Sequence, residues 1–313
     1  MSAIDSANVD KPRLRYAAVS KWYGQVSALS EVSFEVGREV VGLVGRNGAG
    51  KSTLMKLATG LLRPSLGEVR IDGHLAATTE ANAVLGFSPD LDKLYERCTG
   101  RQFVAWMLRL HGFSGRAAFA RAGEVLDELG LGPHMGRRIR EYSKGMRQRV
   151  RLAQALAHGP RVLLLDEPMT GLDPIARHEL SEHVRRLGKS GLGVLVSSHV
   201  LHELEAIVDR VALVHQGRLI AEGAVSLLRD QLREQPHRIR IASSDARALA
   251  GRLTPYAHVI GLEIRADSLD VALNGEPGFY STLTSIAAEP SGLVLGVRPL
   301  DDSLASVFGY LVG

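Results

Sequence analysis

The chain is 313 residues long, 45% hydrophobic and 23% charged, with a formal charge of +4. That length exceeds what one hydrophobic core usually serves, so a large domain and a smaller one are expected, and the composition excludes a disordered or fibrous chain. The basic residues are dispersed rather than gathered into a tract, so no nucleic-acid partner is expected.

Residues 1–15 are polar and carry no apolar core followed by a small-residue cleavage site, which predicts a protein that stays in the cytosol. The longest apolar runs, such as 162–165 and 193–196, fall far short of the ~18 to 20 residues that a bilayer crossing needs. Over the first 222 residues, strand-like runs at 40–44, 162–165, 193–197 and 210–214 alternate with amphipathic helical stretches. This alternation predicts an α/β domain built on a largely parallel sheet.

The run at 40–44 leads into Gly45, Arg46, Asn47, Gly48, Ala49, Gly50, Lys51 and Ser52, and a helical run follows over 53–59. Strand, glycine-rich loop ending in Gly-Lys-Ser, and helix are the context of a P-loop. The glycines let backbone N–H groups turn toward phosphate oxygens, and the helix N-terminus adds its partial positive charge. Lys51 would hold the β- and γ-phosphates and Ser52 would ligate Mg²⁺, with Thr53 completing the nucleotide-binding set. A glycine-rich turn without a ligand is the plain alternative, and the correct flanks on both sides weigh against it.

From about 90 to 159 the pattern turns helical, with Phe103, Val104, Met107, Leu108 and Leu110 at helix spacing and a second helix around 125–129. This stretch reads as a helical insertion. Its single cysteine, Cys98, has no internal disulfide partner and reads as structural. Near its end Ser143 is a good N-cap, and Ser143 with Gly145 would set a hydroxyl, amides and a helix dipole where an anion could dock.

The run at 162–165 ends abruptly in Asp166 and Glu167. Ligands of open parallel sheets sit at the carboxyl ends of strands, so these acids belong beside the phosphates. Asp166 suits the Mg²⁺ shell, and Glu167 can serve as general base for the attacking water. A capping acid followed by a solvated one before Pro168 is the alternative.

Beyond Glu222 and Gly223 the texture changes. A helix is predicted over 225–233, a break at Gln235 and Pro236, then strand 237–242, helix 245–253, strands 259–265 and 269–274, helix 279–288 and strand 292–297. That β-α-β-β-α-β order is ferredoxin-like. A last helix is predicted over 302–311. The expected domains are therefore 14–234, with its helical insertion, and an accessory domain over 235–313.

Between the P-loop and the two acids lies Tyr142-Ser143-Lys144-Gly145-Met146-Arg147-Gln148-Arg149, and with it the chain resembles an ABC transporter ATPase. The family's signature is Leu-Ser-Gly-Gly-Gln followed by a basic helix. Here Lys144 replaces a glycine and Met146 the glutamine, in a form similar to that of exporter subunits. The resemblance implies an ATPase with ATP and Mg²⁺ as cofactors, in which Ser143, Gly145 and Met146 meet the γ-phosphate held by another subunit's P-loop. It thus implies a head-to-tail dimer with a second copy or a related ATPase, beneath separate transmembrane permease subunits that determine the cargo. The expected location is the cytoplasmic face of the inner membrane, as a peripheral subunit.

Further positions follow from the same resemblance. Asp173, in Gly171-Leu172-Asp173-Pro174, is similar to the D-loop; His199 resembles the switch histidine that contacts the γ-phosphate; and Tyr23 resembles the aromatic that stacks on adenine. Leu85-Gly86-Phe87-Ser88-Pro89 ends in Asp90 where the family has glutamine, and Asp90 can still ligate Mg²⁺ or hold a water. Residues 94–100 resemble the surface that receives a membrane subunit, and residues 297–308 resemble the accessory domain of drug, lipid or polysaccharide exporters. Competing readings are a soluble ABC ATPase acting on ribosomes or DNA, a small-molecule kinase on the same P-loop, and a subunit that binds nucleotide but hardly hydrolyses it. The missing second cassette and coiled coil, the signature segment with His199, and Glu167 weigh against these in turn.

Overall fold

The computed structural model describes residues 11–90, 94–199, 204–205, 207–224, 237–274, 278–289 and 292–300. The helices expected over 225–233 and 302–311 and the break at 235–236 lie outside them. The chain divides into two compact units, Met1–Gly223 and Ala224–Gly313.

The first unit holds two sheets. Strands β1 (Leu14–Tyr23), β2 (Val26–Val36), β4 (Leu66–Ile71) and β5 (His74–Leu75) form an antiparallel sheet in the order β2-β1-β4-β5. Sequence reading did not anticipate this sheet. Strands β3 (Val40–Val44), β6 (Leu85–Ser88), β7 (Val162–Leu165), β8 (Gly193–Ser198), β9 (Arg210–His215) and β10 (Arg218–Ala224) form the second, in the order β10-β9-β3-β8-β7-β6. From β9 to β6 its neighbours are parallel, as the alternation predicted. Every residue of β3, β7 and β8 is buried, which explains why they read as continuous apolar runs rather than alternating ones. The turn between β9 and β10 places Gln216 at φ 45° and Gly217 at φ 78°, the two positive angles of a type I′ hairpin.

Helix α1 (Lys51–Ala58) supplies Leu54, Met55, Leu57 and Ala58 to one core with Leu14, Tyr16, Val36 and Ile71 of the antiparallel sheet and Val41, Leu43, Leu164 and Leu195 of the parallel sheet. Tyr16 stacks on Phe34 at 4.6 Å and donates its hydroxyl to the Leu54 carbonyl, and burial pushes its phenol pKa above the usual value. The end of β3, where the P-loop begins, is thus anchored by both sheets. A short helix α2 (Thr79–Ala83) leads into β6.

The helical stretch comprises α3 (Gly100–Leu110), α4 (Gly115–Glu128) and α5 (Lys144–Leu156), with N-caps at Thr99, Ser114 and Ser143. The three pack together and bury Phe103, Val104, Leu108, Val125, Leu126 and Val150. Helix α5 then lies against β6: the Gln154 side-chain amide donates to the Phe87 carbonyl at 2.6 Å. A Cβ on Gly86 would stand 2.2 Å from the Ala155 carbonyl oxygen, so only glycine permits this approach. Just past α5, His158 contacts the Leu85 carbonyl through Nε2 at 3.1 Å and stacks on His111 at 4.0 Å. Helix α6 (Pro174–Lys189), opened by Pro174 after its Asp173 cap, connects β7 to β8.

The second unit runs β11 (His237–Ser243), α7 (Ala246–Leu253), β12 (Val259–Ile264), β13 (Ser268–Leu273), α8 (Gly278–Ala287) and β14 (Val294–Pro299). Its antiparallel sheet has the order β12-β13-β11-β14, the ferredoxin-like arrangement expected from the element order. Ile239, Ile241, Leu269, Val271 and Leu273 pack on Leu249, Leu253, Phe279, Leu283 and Ile286 of the helices. On the other face Arg240 and Arg265 converge on Asp270, whose carboxyl is held below its usual range chiefly by the Arg240 hydrogen bond. Among the described residues no helix is long and apolar enough to cross a membrane.

Burial, reinforced by His111, pushes the His158 imidazole from 6.5 down to about 4. Between those values the unfolded chain takes up a proton that the folded chain refuses, so this group's contribution to stability is full above 6.5 and falls as pH drops toward 4. The melting temperature is expected to fall between about pH 7.5 and about pH 5, and His158→Gln is expected to flatten that slope in a thermal-shift series. An unchanged slope would contradict the assignment.

Candidate functional site

Between β3 and α1 the chain doubles back tightly. A Cβ on Gly45 would lie 2.4 Å from the Val214 carbonyl oxygen, and Gly50, the N-cap of α1, sits at φ 112° with no side-chain cap. Glycine at these two positions lets the loop fold closely onto the helix N-terminus, a place suited to anions. A cavity of about 350 Å³ opens there, lined by Arg46 through Thr53 together with Ala28, Asp90, Glu167, Thr170 and His199.

The Lys51 side chain is 6% exposed. Its ammonium donates to the Gly45 carbonyl at 2.6 Å and the Arg46 carbonyl at 3.5 Å, and stands 3.4 Å from Glu167 Oε1. The other carboxylate oxygen of Glu167 accepts from His199 Nδ1 at 2.7 Å, from the His199 backbone N–H at 3.4 Å and from the Thr170 hydroxyl at 3.3 Å. Glu167 is thus clamped between a cation and a histidine, at φ 47° in the left-handed region that non-glycine residues rarely adopt. Asp166, 7% exposed, accepts the Ser197 hydroxyl at 2.6 Å, and that hydroxyl in turn accepts the Glu167 backbone N–H at 2.9 Å.

Nearly all the single-chain residues expected from sequence therefore meet here. Gly48, Ala49, Gly50, Lys51, Ser52 and Thr53 line the cavity with Asp90, Glu167 and His199, and Asp166 stands next in chain to Glu167. Other expected residues do not line it. Tyr23 is 48% exposed at the β1–β2 turn, with Lys21 Nζ 5.5 Å above its ring. Ser143 Oγ accepts the Met146 N–H at 3.2 Å as the cap of α5, and Gly145 allows α5 to approach Ala176 of α6. Asp173 caps α6 by accepting the Ala176 N–H at 2.9 Å. Sequence reading missed Ser197 and Thr170. The one available signal was the polar pair Ser197 and Ser198 closing an apolar strand.

Among the described residues no three His, Cys, Asp or Glu side chains gather into a metal cage. Ser52 and Asp90, which line the cavity, and Asp166, next in chain to Glu167, carry oxygen donors of the kind a hard cation such as Mg²⁺ takes.

A family model described as ABC transporter matches residues 29–170. The chain is 37% identical over 280 residues to the daunorubicin/doxorubicin resistance ATP-binding protein of Streptomyces peucetius, covering 88% of this chain and 84% of that one. It is 33% identical to the linearmycin resistance ATP-binding protein of Bacillus subtilis, with 94% and 96% covered. It is 35% identical to the Nod factor export ATP-binding protein I of Rhizobium etli, with 81% and 80% covered. A solved structure of the ATP binding subunit of an ABC transporter superposes with a TM-score of 0.63 at 32% identity, over 70% of this chain and 92% of that one. A nucleotide-free ATP-binding cassette from an ABC transporter gives 0.61 at 26% identity, over 68% and 92%.

Lys51→Ala removes the only ammonium lining the cavity among the described residues. It is expected to weaken nucleotide binding by about 10- to 100-fold, the worth of a charge-assisted hydrogen bond, while far-UV circular dichroism stays unchanged. Titration calorimetry measures the loss, and undiminished affinity would refute the role of the loop.

Proposed function

This chain belongs to the ABC transporter family, as an ATP-binding subunit that hydrolyses ATP to drive transport, and from that premise we propose that two such subunits close head to tail around ATP and Mg²⁺ to power export. The observation that carries the reading is the Lys51–Glu167–His199 array at the mouth of the P-loop. Its counterpart is the signature segment Ser143, Gly145 and Met146, which lies outside the cavity of its own chain, with Ser143 exposed and Met146 half-buried. The names of the resistance and export relatives support the outward direction.

In this mechanism the amides of residues 45–50 and Lys51 hold the phosphates, and Tyr23 stacks on the adenine. Ser52, Asp166 and Asp90 would hold Mg²⁺, which supplies charge neutralisation for the phosphates when bound. Glu167 takes a proton from water as the water oxygen forms its bond to the γ-phosphorus and the bond to the β–γ bridging oxygen breaks. His199 keeps the Glu167 carboxylate aimed, and the Lys51 ammonium neutralises charge that gathers on the γ-phosphoryl oxygens. Ser143, Gly145, Met146 and Asp173 of the other subunit complete the site. Closure moves the transmembrane partners, and product release resets them. The subunit works on the cytoplasmic face of the inner membrane as a peripheral protein.

Glu167→Gln keeps the shape but not the base. It is expected to lower kcat by about 10²- to 10⁴-fold and to retain ATP in a stable dimer, read by size exclusion with radiolabelled nucleotide. An unchanged rate would remove Glu167 from this role. A tagged chain purified from gently solubilised membranes is expected to carry a multi-spanning partner in near-stoichiometric amount. Recovery of ribosomes or DNA-bound proteins instead would overturn the transporter reading.

A further inference from the structure

Two acids with different tasks leave β7 on consecutive residues, and one hydroxyl holds them both. Ser197 is the fifth residue of β8 and 0% exposed. It lies one step beyond the Leu165–Val196 pair, where β7 has already left the sheet. A backbone N–H can only donate and a carboxylate only accept, so the directions of its two bonds are fixed. Its Oγ receives the Glu167 N–H at 2.9 Å and passes its own proton to Asp166 Oδ1 at 2.6 Å.

Each bond has a consequence for chemistry. The first ties down a peptide whose next residue is in the left-handed region, at φ 47° for Glu167. A non-glycine residue persists there only when its surroundings over-determine it. Release of that N–H would let the Glu167 backbone relax, and the carboxylate would leave its places 3.4 Å from Lys51 Nζ and 2.7 Å from His199 Nδ1. The second bond fixes the rotation of the Asp166 carboxylate, as partners behind metal-holding carboxylates do.

We infer that Ser197 is a positioning residue for hydrolysis: through one hydroxyl it sets Asp166 to receive the divalent cation and Glu167 to receive the proton of water. The inference rests on the roles of Asp166 and Glu167 given under Proposed function. It adds a dependence between them, because a disturbance at Ser197 reaches both acids together. Thr170 and His199 hydrogen-bond Glu167, and among the described residues neither is recorded with a hydrogen bond to Asp166.

The test uses the full chain with Ser197→Ala, Ser197→Cys and Ser197→Thr. Cysteine fills the space of serine while offering only a weak S–H donor, so it separates the hydrogen bonds from the packing. Three readouts are needed: binding of a fluorescent ATP analogue without divalent cation, Mn²⁺ affinity by electron paramagnetic resonance with a non-hydrolysable ATP analogue, and steady-state hydrolysis at saturating Mg²⁺. For Ala and Cys, cation-free nucleotide binding is expected to stay within about twofold, while Mn²⁺ affinity and kcat each fall by about 10- to 100-fold and KM for ATP moves far less. Thr, which keeps the hydroxyl, is expected to recover most of both. The inference is overturned if Ala and Cys retain kcat and Mn²⁺ affinity within about twofold. It is overturned equally if they lose cation-free ATP binding in step with hydrolysis, for Ser197 would then be a packing residue. Glu167→Gln run alongside separates the two levels. Full hydrolysis in that variant would fault the general base itself, whereas a silent Glu167→Gln beside fully active Ser197 variants would fault Ser197 alone.

Discussion

Three neighbouring parallel strands, β3, β8 and β7, end on the same side of one sheet, and residues that line the loop cavity follow those ends. The P-loop leaves β3, Asp166 and Glu167 leave β7, and His199 follows β8 directly. Parallel pairing requires every strand to return through a crossover, and the loops after the strands therefore share one end of the sheet. Residues about 30 to 120 positions apart in the chain become neighbours through that constraint.

The edge is demanding to build. It gathers Lys51, Asp166 and Glu167 where little water reaches them, and charges so placed persist only when paired and hydrogen-bonded. Each has such a partner: the loop carbonyls and Glu167 for Lys51, Ser197 for Asp166, and Lys51, His199 and Thr170 for Glu167. The left-handed conformation of Glu167 adds a strain of about 1–3 kcal/mol, which this ring of contacts sustains.

Much of this was legible in the sequence, for reasons that differ by residue. The P-loop could be read because phosphate cradling demands glycine, lysine and serine at fixed spacing between a strand and a helix. The two acids could be read because they close an apolar strand at its carboxyl end, where ligands of parallel sheets sit, in a chain that already carries a P-loop. His199, Asp173 and Tyr23 came only from the resemblance, because a single histidine, aspartate or tyrosine carries no spacing of its own. The antiparallel sheet was missed because irregular register interrupts the alternation of β1 and β2, with Ala18 of β1 and Glu31 of β2 both at positive φ, so no clean period survives. Ser197 left only the trace of a polar pair closing an apolar strand, because its bonds depend on a neighbour 30 residues away, brought close by strand pairing.

We propose that the cavity of one chain is completed by the signature segment of another. Cross-linking two copies tests it most directly, one carrying Asn47→Cys on the P-loop and the other Lys144→Cys beside Ser143, both at exposed positions. The native Cys98 is 6% exposed and contributes little background. An inter-subunit disulfide is expected to form with ATP and to fail without it. Absence of that cross-link in protein that still binds and hydrolyses ATP would contradict the proposal.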